Sequence, residues 1–466
     1  MDPVTPRCAG VDVHKRTVCV CVLVEEEKGG QPHQEVREYG TFTGQLLELS
    51  DWLKGLGVTH VAMESTGVFW KPLYNLLEGQ FELLLCNAAH IKNVPGRKTD
   101  VKDCEWIAQL LRYGLLKGSF IPPRPIRELR DLTRGRTALV EERVRVSNRI
   151  GKVLEDANIK LDSVVSNTLG VSGRAMLKAL LAGEEDPRRL AAHARGRLMS
   201  KREQLEEALR GRITPHHLFL LREALEHFEM LEQRIERFCE RIAALQEHED
   251  AAAQGPRGPG RALGGRAPGG AGSDQTAAAP SAGGAEPPGG PAQRPGPTAP
   301  GRRLSHAEAL TKLKTIPGVG QKIAEVLIAE VGLDMDQFGS PERLASWGGL
   351  CPGNNQSAGK RLSGKTRKGS RFLRSALCEA AWAAWRMRQT FLHAQFNRLQ
   401  RRRGSKRAAL AVAHTILRMA YCILKEGTSY QELGADYYDR LHPTRLTRYL
   451  VRRLEGLGYR VTLQSA

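Results

Sequence analysis

The N-terminal part of the chain alternates short apolar runs with amphipathic stretches. Cys8-Ala-Gly-Val-Asp12 is apolar up to its closing acid, and after Val13-His-Lys-Arg16 comes a second run, Thr17-Val-Cys-Val-Cys-Val-Leu-Val24. Two β-rich runs around a short polar interruption predict a strand, a tight turn and a strand. Helical spacing predicts a helix over about 44–56, and His60-Val-Ala-Met-Glu64 reads as a buried strand that ends in an acid. Ser65-Thr-Gly67 then opens a helix carrying Phe69, Trp70, Leu73, Tyr74 and Leu76, with a strand over 81–86 and a helix over 101–116 after it. Strands interleaved with helices predict an α/β domain over 7–122.

Further along, the pattern becomes helical throughout. Over 126–161 the apolar positions include Leu129, Leu132, Leu139, Val146, Ile150 and Val153, and over 218–248 they include Leu221, Leu225, Phe228, Leu231, Ile235, Phe238, Ile242 and Leu245. Within this helical or coiled-coil region, 123–250, the second stretch reads either as a coiled-coil arm that pairs with another chain or as part of a helical hairpin closed within one chain, and spacing does not distinguish the two. Residues 251–303 are nearly all Gly, Pro, Ala and Arg, with no aromatic residue and one Leu. So little apolar surface cannot offset the entropy of ordering, so a disordered linker is expected. A mainly α-helical domain is expected over 304–435, with a C-terminal tail over 436–466. Within it, Leu313-Lys-Thr-Ile-Pro-Gly-Val-Gly320 before an apolar helix over 323–331 reads as a helix-hairpin-helix, in which Gly318 and Gly320 would offer backbone N–H groups to a phosphate.

Charge narrows the class of partner. With 466 residues there is room for two or three domains, and a net charge of +19 implies a polyanion. No apolar run approaches the roughly 18 residues of a membrane span, so nucleic acid is favoured over lipid, with no membrane partner expected. The first residues lack the layout of a signal peptide, which points to the cytoplasm. Nine cysteines lie mostly in apolar runs with no Cys-x-x-Cys pair, a pattern of reduced core thiols rather than a zinc site. Between 351 and 410 stand fifteen Lys or Arg against the single acid Glu379. That one-sidedness marks a surface for nucleic-acid backbone, with Lys360, Arg361, Lys365, Arg367, Lys368, Arg371 and Arg374 as its candidates.

The candidate chemistry lies in four acids, Asp12, Glu64, Asp100 and Asp103. Two close strands and two share the first turn of a helix, so the order of elements brings them to one end of a sheet. Phosphodiester cleavage by paired Mg²⁺, or by Mn²⁺ in its place, needs such hard oxygen ligands to hold two ions roughly 4 Å apart. Individually each acid also has a bland reading, as a helix cap, a strand end or a turn residue. Ser357, in the polar loop Pro352-Gly-Asn-Asn-Gln-Ser-Ala-Gly359 beside Lys360 and Arg361, is by composition an ordinary loop serine whose hydroxyl could approach a phosphate.

Two sets of motifs resemble a known family. Gly10-Val-Asp-Val-His-Lys15, Met63-Glu-Ser-Thr-Gly67 and Lys98-Thr-Asp-Val-Lys-Asp103 resemble the signatures of the RuvC-like (RNase H fold) domain of bacterial IS110 insertion-sequence transposases, the DEDD transposases. Thr315-Ile-Pro-Gly-Val-Gly320, Trp347-Gly-Gly-Leu-Cys-Pro352, Gln356-Ser357 and Lys368-Gly-Ser-Arg-Phe-Leu-Arg374 resemble that family's C-terminal transposase domain in order and spacing. The resemblance spans about 7–250 and 304–432.

It implies an RNase H-like N-terminal domain and a bacterial, nucleoid-associated recombinase that cuts and joins the DNA of element ends and target. It also implies a metal site in the four acids and a coiled-coil region that assembles protomers, as a dimer or tetramer, and grips RNA. The same resemblance implies guidance by a structured bridge RNA and a phosphoserine intermediate formed in a composite site. The family's nucleophile stands in a Ser-Gly pair after Gly-Leu-x-Pro, matched by Gly349-Leu350-Cys351-Pro352 and Ser357. Here Ala358 separates Ser357 from Gly359, so Ser363-Gly364 is an alternative, and the long linker is a second departure. Two rival readings are a metal-only endonuclease or junction resolvase that uses water, and a nucleic-acid-binding relic without activity.

Overall fold

The structure, a computed structural model, describes residues 3–25, 31–65, 67–88, 91, 103–254, 304–353, 355–357, 359–441 and 443–464, with backbone alone at 253, 254, 355–357, 361, 362 and 445. It divides into two compact units, 1–122 and 123–466.

The first unit is built on a five-stranded sheet. Strand β1 (Arg7–Val13) pairs antiparallel with β2 (Thr17–Val24) and parallel with β4 (His60–Glu64). Outside them lie β3 (His33–Gly40), antiparallel to β2, and β5 (Glu82–Cys86), parallel to β4, giving the order β3-β2-β1-β4-β5. This mixed order, with helices on the sheet, is compatible with an RNase H-like fold. Side chains alternate between faces along each strand. Ala9, Val11, Val13, Val61 and Met63 pack with α1 (Thr43–Gly55) and α2 (Trp70–Leu77), while Cys8, Cys21, Ala62 and Cys86 pack with α3 (Asp103–Arg112) on the other face. Arg112 at the end of α3 meets the buried Glu25 just past β2 at 2.9 Å. The helix expected over 101–116 is described only as Asp103–Arg112; Asp100 lies outside the described residues. Strand β3 was not anticipated, because His-Gln-Glu-Val-Arg-Glu-Tyr-Gly is an edge strand, exposed or half-buried along its length and without an apolar alternation.

In the second unit, α4 (Arg124–Asp156) and α9 (Pro215–Gln254) run antiparallel. Gly135 lies against Phe238, Glu142 opposite His227 and Asp156 against His217. Within the chain these two helices pack on each other. Four short helices, α5 (Leu161–Val164), α6 (Val171–Leu181), α7 (Pro187–Ala191) and α8 (Arg202–Ala208), close one end around a core of Ile150, Leu154, Met176, Leu205, Leu221 and Phe228. The segment expected to be a linker begins as the last turn of α9, Ala251 to Gln254; residues 255–303 lie outside the described residues.

The later part of this unit contains α10 (His306–Leu313), α11 (Gln321–Val331), α12 (Pro341–Trp347) and a hairpin of β6 (Asn355–Ser357) and β7 (Lys360–Ser363). Five further helices complete it: α13 (Arg371–Arg386), α14 (Phe391–Arg403), α15 (Ser405–Glu426), α16 (Tyr437–Leu441) and α17 (Pro443–Glu455). Buried charges tie these helices to α4. Arg134 grips Glu330 through two bonds of 2.7 and 2.9 Å, Arg136 meets Glu325, and Ser370 donates to Glu330 at 2.9 Å. Although no unbroken apolar run appears in its sequence, α15 is long and apolar enough to cross a membrane by length and composition. Its Ala408, Val412, Ile416, Leu417, Ala420 and Leu424 are instead buried within this unit.

Candidate active site and nucleic-acid surface

The strand pleat decides where the acids point. Cys8, Gly10 and Asp12 fall on one face of β1, and Ala62 and Glu64 on the same face of β4, the face covered by α3. Asp103 opens that helix. Glycine at position 10 lets the helix lie directly on the strand: a Cβ there would sit 2.2 Å from the Ala108 nitrogen and 2.3 Å from the Cys104 carbonyl oxygen. The sheet and α3 thus bring Asp12, Glu64 and Asp103 to the same end of the sheet, near enough for the charges of Glu64 and Asp103 to act on Asp12.

Electrostatics records the convergence. The Asp12 carboxyl is pushed above the ordinary carboxylate range by burial, drawn down by His14, and pushed up again by the charges of Asp103 and Glu64. His14 Nε2 lies 3.0 Å from Asp12 Oδ2, a partner that the sequence placed only in a turn. Carboxylate oxygens that repel one another suit a hard divalent cation in their donor chemistry. Among the described residues, however, no group of three or more His, Cys, Asp or Glu side chains is drawn together closely enough to hold a metal ion. The expected fourth ligand, Asp100, lies outside them.

The second candidate surface is the β6/β7 hairpin with the basic loop that leads from it into α13. Ser357 pairs with Lys360 and Asn355 with Ser363, and Gly359, just before Lys360, has φ +75°. The base of this hairpin is fixed by backbone packing. Gly353 N donates to Lys365 O at 2.8 Å, and a Cβ on Gly369 would meet Gly348 O at 2.5 Å. The Trp-Gly-Gly-Leu and Lys-Gly-Ser motifs are therefore one structural joint. Ser363 Oγ accepts from Lys365 N at 3.2 Å, a local turn contact. Ser370 caps α13, its hydroxyl accepting from Leu373 N.

The candidate cations differ in their surroundings. Lys360, Lys365, Arg367, Lys368, Arg371 and Arg374 are exposed, and Arg361 is described by its backbone alone. Lys365 and Arg374, with Gly364, Thr366, Arg403, Arg407 and Leu410, line a hollow of about 700 Å³. Arg403 and Arg407 were visible in the sequence only as members of a charge run. The helix-hairpin-helix glycines also separate. Gly318 has φ +86° and approaches α13 so closely that a Cβ would lie 2.3 Å from Ala380 O, so packing accounts for glycine there. Gly320, at the start of α11, has open space around it.

Comparison with known proteins gives matches in both units. Residues 9–159 match a family of IS110 DEDD transposases, described as Transposase, and residues 310–395 match the Transposase IS116/IS110/IS902 family. The two segments together make up about half of the chain. A protein of Sinorhizobium fredii (strain NBRC 101917 / NGR234), described as "Putative transposase y4pF/y4sB", is 33% identical over 136 residues. That match spans 28% of this chain and 35% of the relative's length.

Proposed function

We propose that this chain, which belongs to the IS110 family of transposases, excises and integrates an insertion sequence by cutting and rejoining DNA, with divalent-metal chemistry at the acidic end of its N-terminal sheet. The observation that carries this reading is the convergence of Asp12, Glu64 and Asp103 on the α3 face, where the latter two charges act on Asp12. These three, with Asp100, would hold Mg²⁺ or Mn²⁺. Bound there, the metal would supply charge stabilisation for the attacked phosphate and the leaving oxygen.

The protein's own groups divide the remaining work. Ser357 is proposed as the nucleophile: its Oγ bonds to phosphorus and gives up its proton, while the sugar oxygen leaves with the electrons of the broken P–O bond and takes a proton. Reversal with a new sugar hydroxyl completes strand exchange and frees the serine. The basic face around Lys360, Lys365, Lys368 and Arg374 would hold the backbone through charge. A structured bridge RNA is proposed to choose element and target sequences, supported by the family resemblance alone.

The test is recombination in a defined mixture of the full chain, DNA carrying element ends and target, Mg²⁺, and RNA transcribed from the DNA flanking the gene. Sequenced junctions between element and target that require both protein and RNA are expected. Nicked DNA without junctions would favour the metal-only endonuclease, and binding without cleavage would favour the relic.

A further inference from the structure

We infer that Arg403 and Arg407 join Lys365 and Arg374 in one binding hollow for the phosphates of a nucleic-acid strand. The inference rests on the transposase reading and adds a site and its ligand chemistry to it. The four cations come from three places in the sequence: the loop after β7, the first turn of α13, and the junction of α14 with α15. The fold gathers them around a single hollow of about 700 Å³ whose lining, among the described residues, contains no acid.

A solvated charge run is the bland explanation, and three observations weigh against it. Three arginines elsewhere in this unit have anionic or aromatic partners: Arg418 meets Glu342 at 2.8 Å, Arg134 meets Glu330, and Arg398 lies 4.6 Å over Tyr438. Among the described residues, none of the four cations in the hollow forms an ion pair. Arg407 also stands in the first turn of α15, which has no acid, and a cation there opposes the helix dipole rather than supporting the helix.

Arg374 is moreover oriented: its Nη1 donates to Thr366 Oγ1 at 2.9 Å, within the lining. Gly404, with φ +78°, makes the sharp turn that sets Arg403 at the end of one helix and Arg407 at the start of the next. The result is an unneutralised, concave cationic surface. A flexible polyanion offers it several phosphates at once, each releasing counterions as it binds. DNA and RNA share this chemistry.

The experiment measures binding of the full chain to labelled duplex DNA and, separately, to single-stranded RNA across a range of salt concentrations. The hollow variant is Arg403→Gln with Arg407→Gln, and Arg401→Gln with Lys406→Gln is a charge-matched neighbour outside the lining. If two phosphate contacts are lost, the hollow variant should bind duplex about 60-fold more weakly at 0.1 M salt, or single strand about 25-fold, with a salt slope shallower by about two contacts. The neighbour variant should lose far less, and melting curves should show both variants folded. Loss on the DNA arm or the RNA arm assigns the hollow to that polymer. Unchanged binding by the hollow variant, or equal loss in both variants, overturns the hollow while leaving the transposase reading intact. Failure of the unaltered chain to bind either polymer would overturn both.

Discussion

Gly10 and Ala108 are in backbone contact: a side chain on Gly10 would place its Cβ 2.2 Å from the Ala108 nitrogen. This contact seats α3 on β1 and so fixes Asp103 near Asp12. Gly10→Ala is expected to destabilise the N-terminal unit by about 1–3 kcal/mol, because the helix must lift to admit the methyl. It should also lower DNA cleavage well beyond what lost folding explains. Denaturant unfolding and cleavage assays on the same preparation check this; a variant with unaltered stability would show that the helix does not lie so close.

Asp12 gives a dependence on pH. Its carboxyl is held above the ordinary range, chiefly by burial. A value raised in the folded state favours folding below the unfolded value, and that contribution is lost as pH rises through the raised value. At neutral pH without divalent metal, the ionised group therefore opposes folding. Asp12→Asn should melt at a higher temperature than the parent at pH 7, and the gap should close as pH falls below about 3.9, the usual value for Asp. Added Mg²⁺ should raise the melting temperature of the parent and not that of the variant. An Asp12→Asn protein no more stable than the parent at pH 7 in metal-free buffer contradicts the crowding of charge.

The buried Glu330, 1% exposed, serves Arg134, Ser370 and, at 3.9 Å, Arg130 together. Glu330→Gln should cost about 2–3 kcal/mol, since Arg134 keeps some access to water and Arg130 keeps its bonds to the Ala329 and Glu330 carbonyls. Ser370→Ala should cost less, and the double variant less than the sum of the two. Strict additivity in that cycle would mean that the bond between them contributes nothing.

Much of the first unit was legible because its signals are local. Apolar runs that end in Asp12 and Glu64 mark strands, and period-two alternation then puts both acids on the face that α3 covers. Strand β3 was not legible, since an exposed edge strand carries no apolar pattern. The contact of Gly10 with Ala108 joins residues far apart in sequence, and only the folded chain shows why the motif needs glycine. Arg403 and Arg407 are equally obscure in sequence: they read as a charge run until the turn at Gly404 brings them beside Arg374. The length of α15 was missed for a different reason. Its apolar residues share the helix with charged ones, so no unbroken run appears, yet the folded helix has a span's length and a core helix's burial.

Under the proposed mechanism, Ser357 and Ser363 are the two candidate nucleophiles. Ser363 already serves its own loop by accepting from Lys365 N, so Ser363→Ala should retain most activity. Ser357→Ala should abolish the covalent protein–DNA adduct while leaving nucleic-acid binding intact. The check is a denaturing gel after incubation with DNA, RNA and Mg²⁺. An adduct that survives Ser357→Ala and disappears with Ser363→Ala would move the nucleophile to the second serine, and cleavage without any adduct would hand the attack to water.

The most direct measurement is strand cleavage of labelled DNA by the parent chain and by Asp12→Ala, Glu64→Ala and Asp103→Ala, with Mg²⁺ and with EDTA, alongside binding of the same DNA. The expected result is cleavage by the parent only with Mg²⁺, a loss of 100-fold or more in each variant, on the order of 3 kcal/mol in the barrier, and affinity for DNA within a few-fold of the parent. Cleavage by the Asp12→Ala protein at the parental rate, or cleavage by the parent undiminished in EDTA, would contradict a metal-dependent site at Asp12, Glu64 and Asp103.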